Sequence, residues 1–105
     1  MDDVCKLVAK TFTTDSIGQR VEVESLTEVF TSVSSVSRNE FFDAGASGIR
    51  AQYVFSMAII NYSGENELEY VGKRYRVYRT YQTSNSVELY AEELTSDGGQ
   101  NESQT

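Results

Sequence analysis

The sequence predicts a small all-β protein, an antiparallel β-barrel of about six strands with one short helix set in a long loop. Three observations predict it. Apolar residues alternate with polar ones in short runs, the period of a strand with one covered face. The 105 residues include seven Tyr and five Phe but only 39% hydrophobic residues, a balance suited to a tyrosine-rich sheet around a thin core. Turn residues recur between the runs at hairpin spacing.

Val4 to Thr14 reads as the first strand, carrying Leu7, Ala9 and Phe12. Asp15-Ser16-Ile17-Gly18-Gln19 then supplies a turn in which Gly18 takes a positive φ. Gln19 to Val36 is a long extended segment with Val21, Val23, Val29 and Val33 on one parity and Glu22 and Glu24 on the other. A bulge or bend is expected in its middle, at Ser25-Leu26-Thr27-Glu28. Residues 51–62 are apolar on both parities, which predicts a central strand covered on both faces.

Glu67 to Tyr70 alternates sharply and is followed by Gly72, placed at the first central position of a type II′ hairpin turn. Arg74 to Gln82 returns, Thr83 to Ser86 turns again, and a last strand follows. There Val87, Leu89 and Ala91 face one way and Glu88, Tyr90 and Glu92 the other. Three strands at this spacing make an antiparallel meander. Residues 1–94 thus read as one barrel domain. Residues 95–105 hold no large apolar side chain and are expected to be a disordered polar tail.

One segment breaks the strand rhythm. Ser37-Arg38-Asn39-Glu40 is a capping-box pattern, in which Ser37 accepts from the Glu40 amide and the Glu40 side chain reaches back. Phe41, Phe42, Asp43 and Ala44 continue the helix, and Gly45 or Gly48 ends it with a left-handed residue. Two turns are too short to persist in water alone. Phe41 or Phe42 must therefore pack on the sheet or on a neighbouring subunit, which makes the 34–50 excursion the candidate contact element.

Composition narrows the chemistry. There is no His, so imidazole-based hydrolase arrangements and His-ligated zinc are excluded, and one Cys forms neither an internal disulfide nor a CxxC motif. Cys5 reads as a half-buried thiol of a chain folding in a reducing compartment. No apolar run approaches the ~20 residues of a membrane span, and the first residues lack a signal-peptide layout. Nine basic against sixteen acidic residues give a net charge of −7, which repels duplex DNA unless the bases are gathered.

Four bases are gathered. Lys73, Arg74, Arg76 and Arg79 share one hairpin with Tyr75, Tyr78 and Tyr81, a pattern that could stack and bind a single-stranded nucleic acid. The competing reading is cross-strand ion pairing with Glu67, Glu69, Glu88 and Glu92. The surplus of acids and the lack of an RNA-binding octapeptide favour pairing. Glu88 and Glu92 stand about 13 Å apart at ~3.3 Å per strand residue, too far for one ion or a retaining-type carboxylate pair. Ser34, Ser35, Ser37 and Thr80 have no base to activate them, so no enzyme is expected. Gly45 and Gly48 follow the helix instead of preceding it and form no phosphate cradle.

A series of segments in fixed order carries a family resemblance: Val36 to Gly45, Tyr53-Val54-Phe55, Tyr62-Ser63-Gly64-Glu65, Glu69 to Tyr75, Arg79-Thr80-Tyr81 and Glu88 to Glu93. Over roughly residues 28–93 the chain resembles the head-closure, or head–tail adaptor, proteins of long-tailed bacteriophages. Val71-Gly72 departs from the Asn-Gly frequent in that family, which would favour a type I′ turn. The first strand and the acidic tail match nothing in it.

The resemblance implies a small β-barrel that assembles as a homo-oligomeric ring beneath the phage portal and its adaptor, at the head–tail junction of the virion. Such a stopper ring helps to retain packaged DNA, which passes through the channel without sequence-specific binding, and offers the tail a docking surface. Carried onto this chain, Ser37, Arg38, Glu40, Phe41, Phe42, Gly45 and Gly48 would contact the channel or neighbouring subunits. Lys73, Arg74, Arg76 and Arg79 would form a ring-interface hairpin. No cofactor, metal or membrane is implied, and assembly would take place in a bacterial cytoplasm. The alternatives are a tail-completion or tail-terminator ring and, further off, an OB-like single-stranded nucleic-acid-binding module.

Overall fold

The computed structural model describes residues 2–94, so the tail expected at 95–105 lies outside the described residues. Six antiparallel strands close into a barrel in the order β1-β2-β3-β6-β5-β4. They are β1 (Asp2–Thr14), β2 (Arg20–Ser35), β3 (Ala51–Ala58), β4 (Glu67–Tyr70), β5 (Lys73–Gln82) and β6 (Ser86–Glu93). One helix, α1 (Arg38–Ala46), joins β2 to β3, and a single 3-10 turn, Ile59–Asn61, follows β3. The barrel is shut by a short seam, in which Lys6, Leu7 and Val8 of β1 pair with Glu69, Leu68 and Glu67 of β4.

Alternation fills the interior. Cys5, Leu7, Val29, Phe55, Met57, Leu68, Tyr75, Val87, Leu89 and Ala91 make one buried cluster, with Val33, Tyr53, Tyr62, Tyr70 and Val77 packed against it. Phe55 is fully buried and stands edge-on to Tyr53, Tyr70 and Tyr75, with ring centroids 6.0, 5.3 and 5.8 Å away. Edge-to-face pairs of this kind add about 0.5–1.5 kcal/mol each beyond the area they bury. Five of the twelve aromatic residues, Tyr53, Phe55, Tyr62, Tyr70 and Tyr75, thereby gather in or against one small core. Cys5 belongs to that core at 1% exposure, and is not the half-buried thiol expected. A strand that reads apolar on one parity over only a few residues gives no sign of how completely its neighbours will close over it.

The first hairpin is longer than the barrel it belongs to. β1 and β2 pair without interruption from Asp2↔Ser32 to Thr14↔Arg20. The bulge expected at 25–28 is therefore absent: polar Ser25 and Thr27 sit on the inward parity opposite Ala9 and Leu7, in an unbroken ladder. The turn carries Gly18 at φ 87°, and the Asp15 carboxylate accepts from the amides of Ile17 and Gln19 at 3.0 and 2.8 Å. β4 covers β1 only at residues 6–8, and β3 covers β2 only at residues 32–35. Over residues 9–14 and 20–25 the two strands run on as a ribbon with no third strand beside it among the described residues, tied back to the barrel by Lys10–Glu67 and Glu24–Arg74, and the molecule extends to 49 Å along its longest axis.

Two further expectations are corrected. β3 is central but is fully covered on its inner face only: Ala51, Phe55 and Met57 are buried, whereas on the outer face Val54 and Ser56 are half-buried and Gln52 and Ala58 exposed, and Ile60 lies in the 3-10 turn in open solvent. Its apolar stretch mixed strand and turn residues, so both parities looked covered. The β4–β5 turn places Val71 and Gly72 at its two centres, with φ of 51° and 75°. Both values are positive, which makes the turn type I′ and puts Gly72 second, not first as in the type II′ turn expected. A β-branched residue at positive φ is a strained position.

Candidate functional site

Helix α1 is built on its termini. Ser37 stands at the N-cap, and its hydroxyl accepts from the Glu40 amide at 3.1 Å. At the other end the amide of Gly48 donates to Gly45 and that of Ile49 to Ala44, both at 3.0 Å, a Schellman closure with Gly48 at φ 80°. Gly48 is therefore the terminating glycine, and Gly45 lies within the helix.

The second half of the capping box does not form. The Glu40 side chain turns away from Ser37 and toward β5, where Arg79 donates to both carboxylate oxygens (2.6 and 3.3 Å) and the Tyr78 hydroxyl donates at 2.6 Å. Geometry in β5 explains the diversion. The register against β6 slips between Val77↔Ala91 and Arg79↔Tyr90, so Tyr78 is an extra residue. A bulge of this kind re-aims side chains, and here Tyr78 and Arg79 both reach the outer face under α1. Arg79 also lies over the Tyr90 ring at 4.0 Å.

The electrostatics follow the contacts. Hydrogen bonds from Arg79 and then Tyr78 hold the Glu40 carboxyl below its ordinary range. Desolvation and the Glu40 hydrogen bond push the Tyr78 hydroxyl up, so it stays a donor. A half-capping box and one carboxylate thus fasten the helix, with Ala44 its one buried residue.

Neither phenylalanine is in the core. Phe41 and Phe42 are 51% and 64% exposed and contact each other edge-on at 5.8 Å, so the expected sheet-packing role falls to the smaller Ala44. Together with Val36, Arg38 and Tyr53 they line an open groove of about 560 Å³ between α1 and the start of β3. Arg38 is in no ion pair among the described residues.

The basic hairpin is occupied by carboxylates. Lys73 pairs with Glu93 at 3.6 Å, Arg74 with Glu67 at 3.1 Å and Glu24 at 3.3 Å, Arg76 with Glu92, and Arg79 with Glu40 at 2.6 Å. Glu69 and Glu88, named from sequence as partners, pair with none of them. Burial works to raise the Glu67 carboxyl, but hydrogen bonds from Lys10 and Arg74 leave it lowered overall. Among the described residues no group of three or more Cys, Asp or Glu is placed to hold a metal ion, and no helix is long and apolar enough to cross a membrane.

Sequence reasoning missed the ribbon. Its inward parity continues the core face of β1 and β2 as Ala9, Thr11, Thr13, Val21, Val23 and Ser25, with no charge. Its outward parity carries Lys10, Arg20, Glu22 and Glu24, with Arg20 over the Phe12 ring at 4.5 Å. The signal was strand length: 13 and 16 residues, against 4 to 10 in the other four strands. Strands of about five or six residues suffice for most sheets. No protein-family model matches this chain, and no curated protein matches it.

Proposed function

We propose that this chain is a structural, non-catalytic subunit of a bacteriophage head–tail connector. In this reading it is a ring-forming head-closure protein that helps to retain packaged DNA and gives the tail a surface to dock on. The observation that carries the reading is the division between a filled barrel and two bare appendages. The interior is packed with Leu7, Phe55, Leu68, Tyr75 and Leu89, leaving the ribbon and α1, at opposite ends of β2, to present apolar side chains to solvent. Exposed apolar surface on projecting elements is the signature of contact with other proteins. The order of segments in residues 28–93 supplies the particular assembly.

The charge pattern supports it. A net charge of −7, with the hairpin bases held by carboxylates, suits a wall past which a duplex slides. The same pairing speaks against the nucleic-acid-binding alternative. Electron microscopy of lysates from the parent phage lacking this gene tests the proposal. Emptied heads beside complete free tails are expected. DNA-filled heads with defective tails would move the protein to tail completion, and normal virions would overturn the connector reading.

A further inference from the structure

A two-stranded ribbon with water on both sides has no reason to keep one face free of charge. The outward face of this ribbon follows that logic, and the inward face does not. Ala9, Thr11, Thr13, Val21, Val23 and Ser25 are uncharged and largely β-branched, yet Val21 and Val23 are 41% and 42% exposed. The edge of β2 from Arg20 to Thr31 carries no strand partner besides β1 among the described residues. Arg20, Glu22, Glu24 and Glu28 guard that edge with charge on the outward parity, so it is the uncharged inward face that stands without a cover. The ribbon has the composition of a surface awaiting a cover.

We propose that the cover is a second copy of this chain, and that the uncharged ribbon face seats in that copy's groove between α1 and β3. Three features favour this occupant. The groove offers the complementary chemistry, with Phe41 and Phe42 exposed beside Val36. Charge agrees at the rims, because Arg38 beside the groove and Glu22 on the ribbon are both outside any ion pair among the described residues. Position agrees as well: ribbon and groove leave opposite ends of β2, so one copy can give its ribbon and receive another's at the same time. Such a contact joins unlike surfaces and propagates from copy to copy, closing where the rotation allows.

The inference deepens the assembly reading and rests on it. A ribbon of about six residues per strand is only ~20 Å long, so a single contact falls short of the ~800 Å² per partner typical of stable pairs. Association of two copies is therefore weak, and closure lets each copy use both surfaces at once.

Sedimentation of the purified full chain, from about 10 µM to about 1 mM, tests this. Concentration-dependent self-association is expected. Val23→Glu and Thr13→Glu, on the inward face, should each weaken it about tenfold or more, as should Phe41→Ala with Phe42→Ala. Thr14→Glu, on the outward face, should not. Because these positions are exposed, circular dichroism should show every variant folded. A chain that stays monomeric throughout overturns the proposal. Loss in Val23→Glu with full retention in the phenylalanine variant overturns the groove as receptor. Neither result alters the deletion phenotype, so this inference can fail while the connector reading stands.

Discussion

Arg79 grips Glu40 across 39 positions of sequence, its Nη2 donating to one carboxylate oxygen at 2.6 Å and its Nε to the other at 3.3 Å. The bond fastens a two-turn helix, whose phenylalanines bury nothing in the core, onto a barrel that would otherwise hold it through Ala44 and the Tyr78 hydroxyl's bond to Glu40. The side chain that a capping box would spend on its own helix is spent on the barrel instead.

Glu40→Gln should free α1 while leaving the barrel closed. A charge-assisted hydrogen bond between partly exposed groups contributes about 1 kcal/mol once solvent screening is counted. Amide exchange over 38–46 should speed up severalfold, with exchange in β3 and β6 unchanged. Protection of the helix equal to that of the parent chain would remove the anchoring role.

The same bond sets a pH dependence. The folded-state pKa of Glu40 lies below its ordinary 4.5, so the stabilisation is fully present above pH 4.5 and fades as pH falls through the lower folded value. Helix exchange measured from pH 6 down to about pH 3, corrected for the intrinsic pH dependence of exchange, should rise over that window in the parent chain and stay flat in Glu40→Gln.

Val71→Asn should stabilise the protein by about 1 kcal/mol, since Asn tolerates the positive φ that Val resists. Val71 is 79% exposed, so little packing is lost. Urea denaturation should show a higher midpoint at an unchanged slope. A lower midpoint would mean that Val71 makes a contact more valuable than the strain it bears.

Phe55→Ala should cost about 3–5 kcal/mol, because it empties the centre of the aromatic cluster. Phe41→Ala and Phe42→Ala should each change the stability of the isolated chain by less than about 0.5 kcal/mol. Thermal melts of the three variants separate a core role from a contact role.

Cys5 should be inert in the folded chain. Burial pushes its thiol pKa up to about 11, and its 1% exposure blocks access. A thiol reagent at pH 8 should react only after denaturant is added.

Much of the barrel is legible because its strands obey local rules. Val87, Leu89 and Ala91 against Glu88, Tyr90 and Glu92 is an alternation that only a half-covered strand requires, and Ser37 with Gly48 brackets α1 as caps do. What escapes is set by distance in sequence. The Tyr78 bulge arises from pairing with β6, so β5 alone does not disclose that Tyr78 and Arg79 both turn outward toward Glu40. The type I′ turn escapes because Val71 contradicts the preference of the position it fills. The ribbon escapes because alternation shows that a strand has a covered face without showing whether another strand supplies the cover.

The disparity between the barrel's two joints has a mechanical consequence. β1 is held to β2 along 13 residue pairs but to β4 along three. The 13 pairs make the two ribbon strands move as one, so a pull along the ribbon's own length loads the short seam with β4 in shear, its hydrogen bonds sharing the force. A sideways pull peels the same seam, and there the three pairs separate in turn, like a zipper. The ribbon is thus a stiff arm when drawn lengthwise and a lever when bent, and the barrel's first place to open under bending is the line from Lys6 to Val8.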